Sequence, residues 1–247
     1  MTSDPHTPEA PVERLARATV GPSGWLLLVL AAGWAVLVIA APIDATQGVI
    51  QKILYVHPPM AFAAYLGFVL TAVGGAVYLA RRDPAWDRFS ASAAEVGVLF
   101  CALMIATGPI WARGTWGKWW TWDLRLTLTL LLFLIYVAYL LLRSFTEGSE
   151  RTARFAAVYA IAGLVVIPLN YFAIDLAGGR TLHPENLERG SLGEGMGWPF
   201  LAAVVASLVA FAHLLARRVE VAGLRARLAR REAEAEALAP GGPSWDT

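Results

Sequence analysis

Six uninterrupted apolar runs divide the chain, at 25–41, 60–80, 91–111, 124–142, 155–176 and 198–216. Each is close to the roughly 20 residues that a bilayer-crossing helix requires. The pattern predicts an all-α integral membrane protein of six transmembrane helices joined by short connections. The first run is not a cleavable signal peptide, because a polar stretch precedes it and five more spans follow. No internal repeat is visible. Three parts are expected: a tail at 1–23, a six-helix domain at 24–216 and a second tail at 217–247. The first tail is Pro-rich and polar and is expected to be disordered. From 217 to 239, Arg, Glu, Ala and Leu alternate with almost no breaker, so the last span should run on as a charged helix. Pro240-Gly241-Gly242-Pro243 should stop it. It reads as a solvated helical tail or as a docking helix for a partner.

Composition sharpens this picture. Apolar residues make up 57% of the 247, charged residues 16%, and mean hydropathy is +0.54. A soluble domain carries about 45–50% apolar and about 25% charged residues. Six spans leave no room for a separate soluble catalytic domain. A net charge of +1 gives no bulk electrostatic case for nucleic acid. The single Cys101 excludes an intrachain disulfide, a CxxC redox pair and a CxxCH haem-attachment site. The only Gly-Lys pair, Gly117-Lys118, is followed by Trp, so no GxxxxGK[ST] phosphate loop is present and any ATP-driven step belongs to a partner.

Basic residues orient the spans, since Lys and Arg in short loops stay on the cytoplasmic side. The tails and the 81–90 and 143–154 connections hold fourteen. The connections near 42–59, 112–123 and 177–197, with their helix edges, hold six: Lys52, Arg113, Lys118, Arg125, Arg180 and Arg189. Both termini are therefore expected inside, and these three connections outside.

The second outer connection runs Trp111-Ala112-Arg113-Gly114-Thr115-Trp116-Gly117-Lys118-Trp119-Trp120-Thr121-Trp122-Asp123 and holds five of the ten tryptophans. Trp favours the headgroup level, so an aromatic belt is one reading. A platform that stacks against a large planar ligand is the other. Four histidines bear on the choice. His6 lies in the polar tail, and His213, one turn before Arg217, reads as a packed residue. His57 and His183 stand in the first and third outer connections, flanking the Trp segment. Neutral imidazole ligates iron, copper or zinc. Two such residues around an aromatic platform suggest the axial ligands of a metalloporphyrin, with zinc or copper binding, or no ligation, as alternatives. Tetrahedral zinc usually takes three or four protein ligands, and carboxylates would have to complete such a set. Arg125 and Lys52 are candidates to pair with porphyrin propionates. For Arg125, a pair with Asp123 or snorkelling to the headgroups stays open.

The run Trp116-Gly117-Lys118-Trp119-Trp120-Thr121-Trp122-Asp123-Leu124-Arg125-Leu126-Thr127 resembles the tryptophan-rich WWD signature of the haem-handling proteins of cytochrome c maturation. With six spans and flanking His-Pro segments, the chain is most similar to the CcmC, or haem exporter protein C, family from about residue 24 to 216. The resemblance implies a haem chaperone of the bacterial inner membrane, not an enzyme in its own right, that presents haem b as cargo at the periplasmic face. It implies His57 and His183 as axial ligands. Trp111, Trp116, Trp119, Trp120, Trp122 and Asp123 would lie beside the haem, and Arg125 and Lys52 near its propionates. The implied partners are the acceptor chaperone CcmE, whose covalent loading the chain would assist, the ABC transporter subunits CcmA and CcmB, the small one-span protein CcmD, and membrane lipid. The competing function is a WWD-type haem lyase like the larger CcmF and CcsA, which attach haem to apocytochrome c. Pro58-Pro59 after His57 departs from the family pattern and stiffens the exit from that histidine.

The basic asymmetry makes the topology testable. A cysteine replacing Ser149 should resist membrane-impermeant reagents in intact cells, and one replacing Ser191 should react. The opposite pattern would overturn the orientation.

Overall fold

The computed structural model describes residues 10–145, 149–186 and 192–238. His6, Arg189, Ser191 and the Pro240–Pro243 stop lie outside them. Among the described residues the fold is helical, without a strand, and six helical stretches are long and apolar enough to cross a membrane. They are α1 (Pro11–Ala40); a 3-10 turn (Val49–Tyr55) leading into α2 (His57–Arg81); α3 (Pro84–Trp116); α4 (Leu124–Phe145); the pair α5 (Glu150–Gly163) and α6 (Val166–Tyr171), extended by a single turn, α7 (Ala173–Leu176); and α8 (Gly197–Leu238).

Local chemistry sets these ends. Asp83 caps α3 by accepting from the Ala85 amide at 2.8 Å, and Pro84 occupies the first turn, where its missing N–H costs nothing. Ser149 caps α5 by accepting from the Thr152 amide. The 42 residues of α8 carry it well beyond one bilayer thickness, through the charged segment to Leu238.

Four expectations need correction. The tail expected to be disordered over 1–23 is helical from Pro11, where α1 begins. Tertiary contacts supply the reason. Glu13 is buried between Arg88 of α3 and Arg227 of α8, the latter at 3.3 Å, and Ser23 meets Nδ1 of His213 at 2.9 Å. That last contact makes His213 a packed residue. The Trp segment is only half loop. α3 continues through Trp116 and stops where Gly117 takes φ +71°, its amide bonding the Arg113 carbonyl. His57 opens α2 rather than lying in a loop, and Pro58 and Pro59 serve as helix-starting residues. The fifth span is broken. Pro168 has no N–H for the Leu164 carbonyl, which accepts from Ile167 instead, and the chain tightens into a turn between Gly163 and Val166.

Packing centres on α2 and α3, whose backbones nearly touch: a Cβ on Gly67 would stand 2.6 Å from the Gly97 Cα. Small residues allow such approaches where lipid supplies no hydrophobic drive between helices. Phe68 stacks on Tyr136 of α4 with ring centroids 3.9 Å apart, joining the third core helix. At the end of the bundle away from the Trp segment, a two-pronged Arg143–Asp87 pair at 2.6 and 2.7 Å and an Arg218–Glu95 pair add to the Glu13 cluster. The other end hosts the cavity described below.

Gly67→Ala should therefore lower the thermal midpoint in detergent, at a cost of about 1–3 kcal/mol, the usual range for overpacking. Gly21→Ala in α1, where nothing lies within 4 Å of the added carbon, should be neutral or mildly stabilising. Equal effects of the two substitutions would contradict the close α2–α3 crossing.

Candidate functional site

A cavity of about 750 Å³ opens at the end of the bundle where α2 and α4 begin and α3 ends. That lies within the roughly 300–1,000 Å³ of small-molecule sites. Its floor is Ala61, Tyr65, Met104 and Ile105, and its rim is the Trp segment and the connection after α7. The wall is mostly apolar, with a few polar groups aimed inward.

The first turn of α2 places His57 against α3. Its Nδ1 lies 3.0 Å from the Met104 carbonyl and 3.1 Å from Thr107 Oγ1. Thr107 Oγ1 itself donates to the Leu103 and Met104 carbonyls, so its hydrogen is committed. Nδ1 must therefore carry the proton and donate, which leaves the lone pair on Nε2. Trp111 meets the ring edge-on at a centroid distance of 5.9 Å. Gly108 makes room for it: a Cβ there would stand 3.1 Å from His57 Cε1.

His183 repeats this logic from a loop. Its Nδ1 donates to the Pro184 carbonyl at 2.8 Å, so its lone pair is also on Nε2. Burial, and then the positive charge of Arg125, push its pKa down to about 4. The ring is neutral at physiological pH, as a metal ligand must be. The backbone on its N-terminal side is tied to α4. The His183 amide donates to Thr181 Oγ1, which donates to Asp123 Oδ2 at 2.9 Å. Asp123 also accepts from the Leu126 amide and the Thr121 hydroxyl, capping α4.

Arg125 stands in the first turn of α4 and faces the cavity. Its Nη1 donates to Asn186 Oδ1 at 2.6 Å. Its carbonyl accepts from Asn170 Nδ2, which also donates to Thr129 Oγ1, while Tyr65 donates to Asn170 Oδ1 at 2.7 Å. Asn170 is fully buried in the broken span.

Of the residues singled out in the sequence, the cavity wall gathers His57, His183, Trp111, Trp116, Trp119, Trp120 and Arg125. Three stand elsewhere. Asp123 caps α4 and tethers the His183 loop. Trp122 packs edge-to-face on Trp120 but is 76% exposed and turned to the surface. Lys52 points away from the cavity: its ammonium donates to the Val38 and Ile39 carbonyls at 2.8 and 3.0 Å, satisfying the free C-terminal end of α1. Sequence reasoning missed Gln51, Gly108, Asn170 and Asn186. A polar residue inside an apolar run, as Asn170 is, was the available signal. Two polar atoms in the wall, Trp120 Nε1 and Gln51 Oε1, are buried without a protein partner. Such orphans mark places where a ligand or water completes the bonding. Among the described residues no group of three or more His, Cys, Asp or Glu is placed to hold a metal ion, fewer than the three or four protein ligands that tetrahedral zinc usually takes.

A sequence model of the family Heme exporter protein C matches residues 6–237, nearly the whole chain. The chain belongs to the heme exporter protein C family. Relatives carrying that name include one from Bradyrhizobium diazoefficiens, 34% identical over 76% of this chain and 73% of its own length. Others come from Paracoccus denitrificans, 34% identical over 54% of this chain and 56% of its own, and Escherichia coli K12, 29% identical over 60% and 61%. In this heme exporter protein C family member the Trp-rich signature spans three structural settings: the end of α3, a short loop, and the cap of α4.

His183 of the ligand-free protein should titrate with a midpoint near 4, well below the ordinary imidazole value, in a ring-selective NMR titration. Arg125→Leu removes a positive neighbour that opposes the imidazolium, so the midpoint should rise. A midpoint near 6.5 in the unaltered protein would contradict the burial and charge described.

Proposed function

We propose that the chain is a haem-binding membrane chaperone of cytochrome c maturation. It holds haem b as cargo at the periplasmic end of the bundle and delivers it to the acceptor CcmE. One observation carries this reading. Two histidines on separate elements, each with Nδ1 donating to a backbone carbonyl, present unprotonated Nε2 atoms in the same cavity. A partner on the second ring nitrogen fixes the tautomer and orientation of a metal-ligating imidazole. The wall suits the rest of a haem. Its apolar floor takes the macrocycle, Trp111, Trp116, Trp119 and Trp120 offer flat faces and edges, and Arg125 offers a fork to a propionate. Lys52 drops out of that role, because its ammonium is bonded to α1.

The cargo supplies iron and carboxylates, and the protein supplies everything that positions them. Met104 and Pro184 carbonyls hold the two imidazoles in one tautomer. The membrane-embedded floor excludes water. Hand-off requires release of one axial ligand or an open porphyrin edge. Trp119 and Trp122, 60% and 76% exposed beside the cavity mouth, form the docking surface for the acceptor. Any ATP-driven step falls to the transporter subunits CcmA and CcmB, with CcmD completing the complex. The relatives are named as exporters and not as lyases, which favours delivery over attachment.

His57→Ala and His183→Ala should each open one axial position, converting a six-coordinate spectrum to a five-coordinate or water-ligated one and weakening haem retention. His213→Ala should do neither, since His213 packs on Ser23. An unchanged bis-imidazole spectrum in either cavity variant would defeat the assignment. A thioether product on a CXXCH peptide with this chain alone would establish the lyase instead.

A further inference from the structure

The His183 loop is held at both ends, and the two tethers differ in kind. On the N-terminal side, Thr181 donates to Asp123, which stands outside the large cavity. On the C-terminal side, Asn186 is three residues past His183 and joins two elements. Its Oδ1 accepts from Arg125 Nη1 at 2.6 Å, and its Nδ2 donates to the Tyr171 carbonyl at the end of α6. This second tether runs through the only Lys or Arg among the described residues of the cavity wall.

That shared arginine imposes a competition. Asn186 offers Arg125 a neutral amide oxygen. A ligand carboxylate in the cavity would offer an acceptor of full opposite charge with two oxygens that match the guanidinium fork, a pairing that a single amide oxygen does not provide. We infer that Asn186 is a positioning residue for His183, and that a carboxylate of the cargo displaces it from Arg125, so that binding at the arginine unfastens the C-terminal tether of the His183 loop. The displacement rests on the haem-site reading above; the tether rests on the hydrogen bonds alone. The arrangement couples two events at one site. With the cavity empty, the Arg125 Nη1–Asn186 Oδ1 bond holds the loop. With a carboxylate at Arg125, Asn186 loses that bond and keeps the one to the Tyr171 carbonyl, and His183 gains freedom to move onto the iron or off it. Asp123 and Thr181 keep the loop from leaving altogether.

The probes are metal-free protoporphyrin, which has carboxylates and no iron, and its dimethyl ester, which has neither. Amide hydrogen exchange across 181–186 in the full-length protein reads the tether. In the ligand-free protein, Asn186→Ala should exchange faster there than the unaltered chain. In the unaltered chain, protoporphyrin should accelerate exchange across 181–186 and the diester should not; in Asn186→Ala, protoporphyrin should add nothing. Asn186→Asp gives Arg125 an anionic partner and guards against a misfolded alanine variant. It should weaken protoporphyrin binding about tenfold and leave diester binding unchanged. Unchanged protection in ligand-free Asn186→Ala overturns the positioning role. Equal acceleration by the diester, or equal weakening of both ligands by Asn186→Asp, overturns the displacement. If neither porphyrin quenches tryptophan fluorescence, the haem-site reading fails and the displacement with it, while the ligand-free comparison still decides the tether.

Discussion

A fully buried amide at position 170 must find its partners inside a bundle that offers it no water. An unsatisfied polar group in the hydrocarbon region costs several kcal/mol. Asn170 meets that demand by accepting from Tyr65 on α2 and donating to the Arg125 carbonyl and Thr129 hydroxyl on α4. The rest of the site follows from this junction. The fifth span breaks beside it, α4 is fixed at its first turn, and the Arg125 side chain is aimed into the cavity. The same break brings the Tyr171 carbonyl within reach of Asn186, and so sets the height at which His183 is carried.

Hydrogen-bond economy also explains why the two histidines suit a metal. Each has a backbone carbonyl at Nδ1, which leaves the lone pair on Nε2. Neither carbonyl belongs to a mobile side chain. One is a helical carbonyl on α3, freed for an extra bond because an oxygen has two lone pairs, and the other is the next residue of the loop. The tautomer that exposes Nε2 is therefore set on both rings before any ligand arrives, even though the His183 loop is free to shift, and fixing it in advance lowers the cost of binding. Gly108 contributes by absence, since any side chain there crowds the His57 ring.

The six spans were legible because hydropathy reports burial from water, and lipid and protein interior count alike in that measure. The Trp segment and the two histidines were legible because their chemistry is unusual and clustered. The errors have one cause: hydropathy says nothing of partners. Lys52 looked free to meet a propionate, yet the open carbonyl end of α1 lies closer to hand. Residues 11–23 looked disordered because their polar groups have no local use, and only α3 and α8 supply Arg88 and Arg227 to Glu13. Asn186 carried no local signal, because its role exists only where the third connection folds back on α4.

The central claim is that both cavity imidazoles face one haem iron. Optical spectra of the purified haem-loaded chain, oxidised and then reduced, test it most directly, because spin and coordination state are read without altering a residue. A six-coordinate, low-spin, bis-imidazole spectrum is expected in the oxidised protein. A five-coordinate, high-spin spectrum at full haem occupancy would mean that only one histidine reaches the iron, and would contradict it.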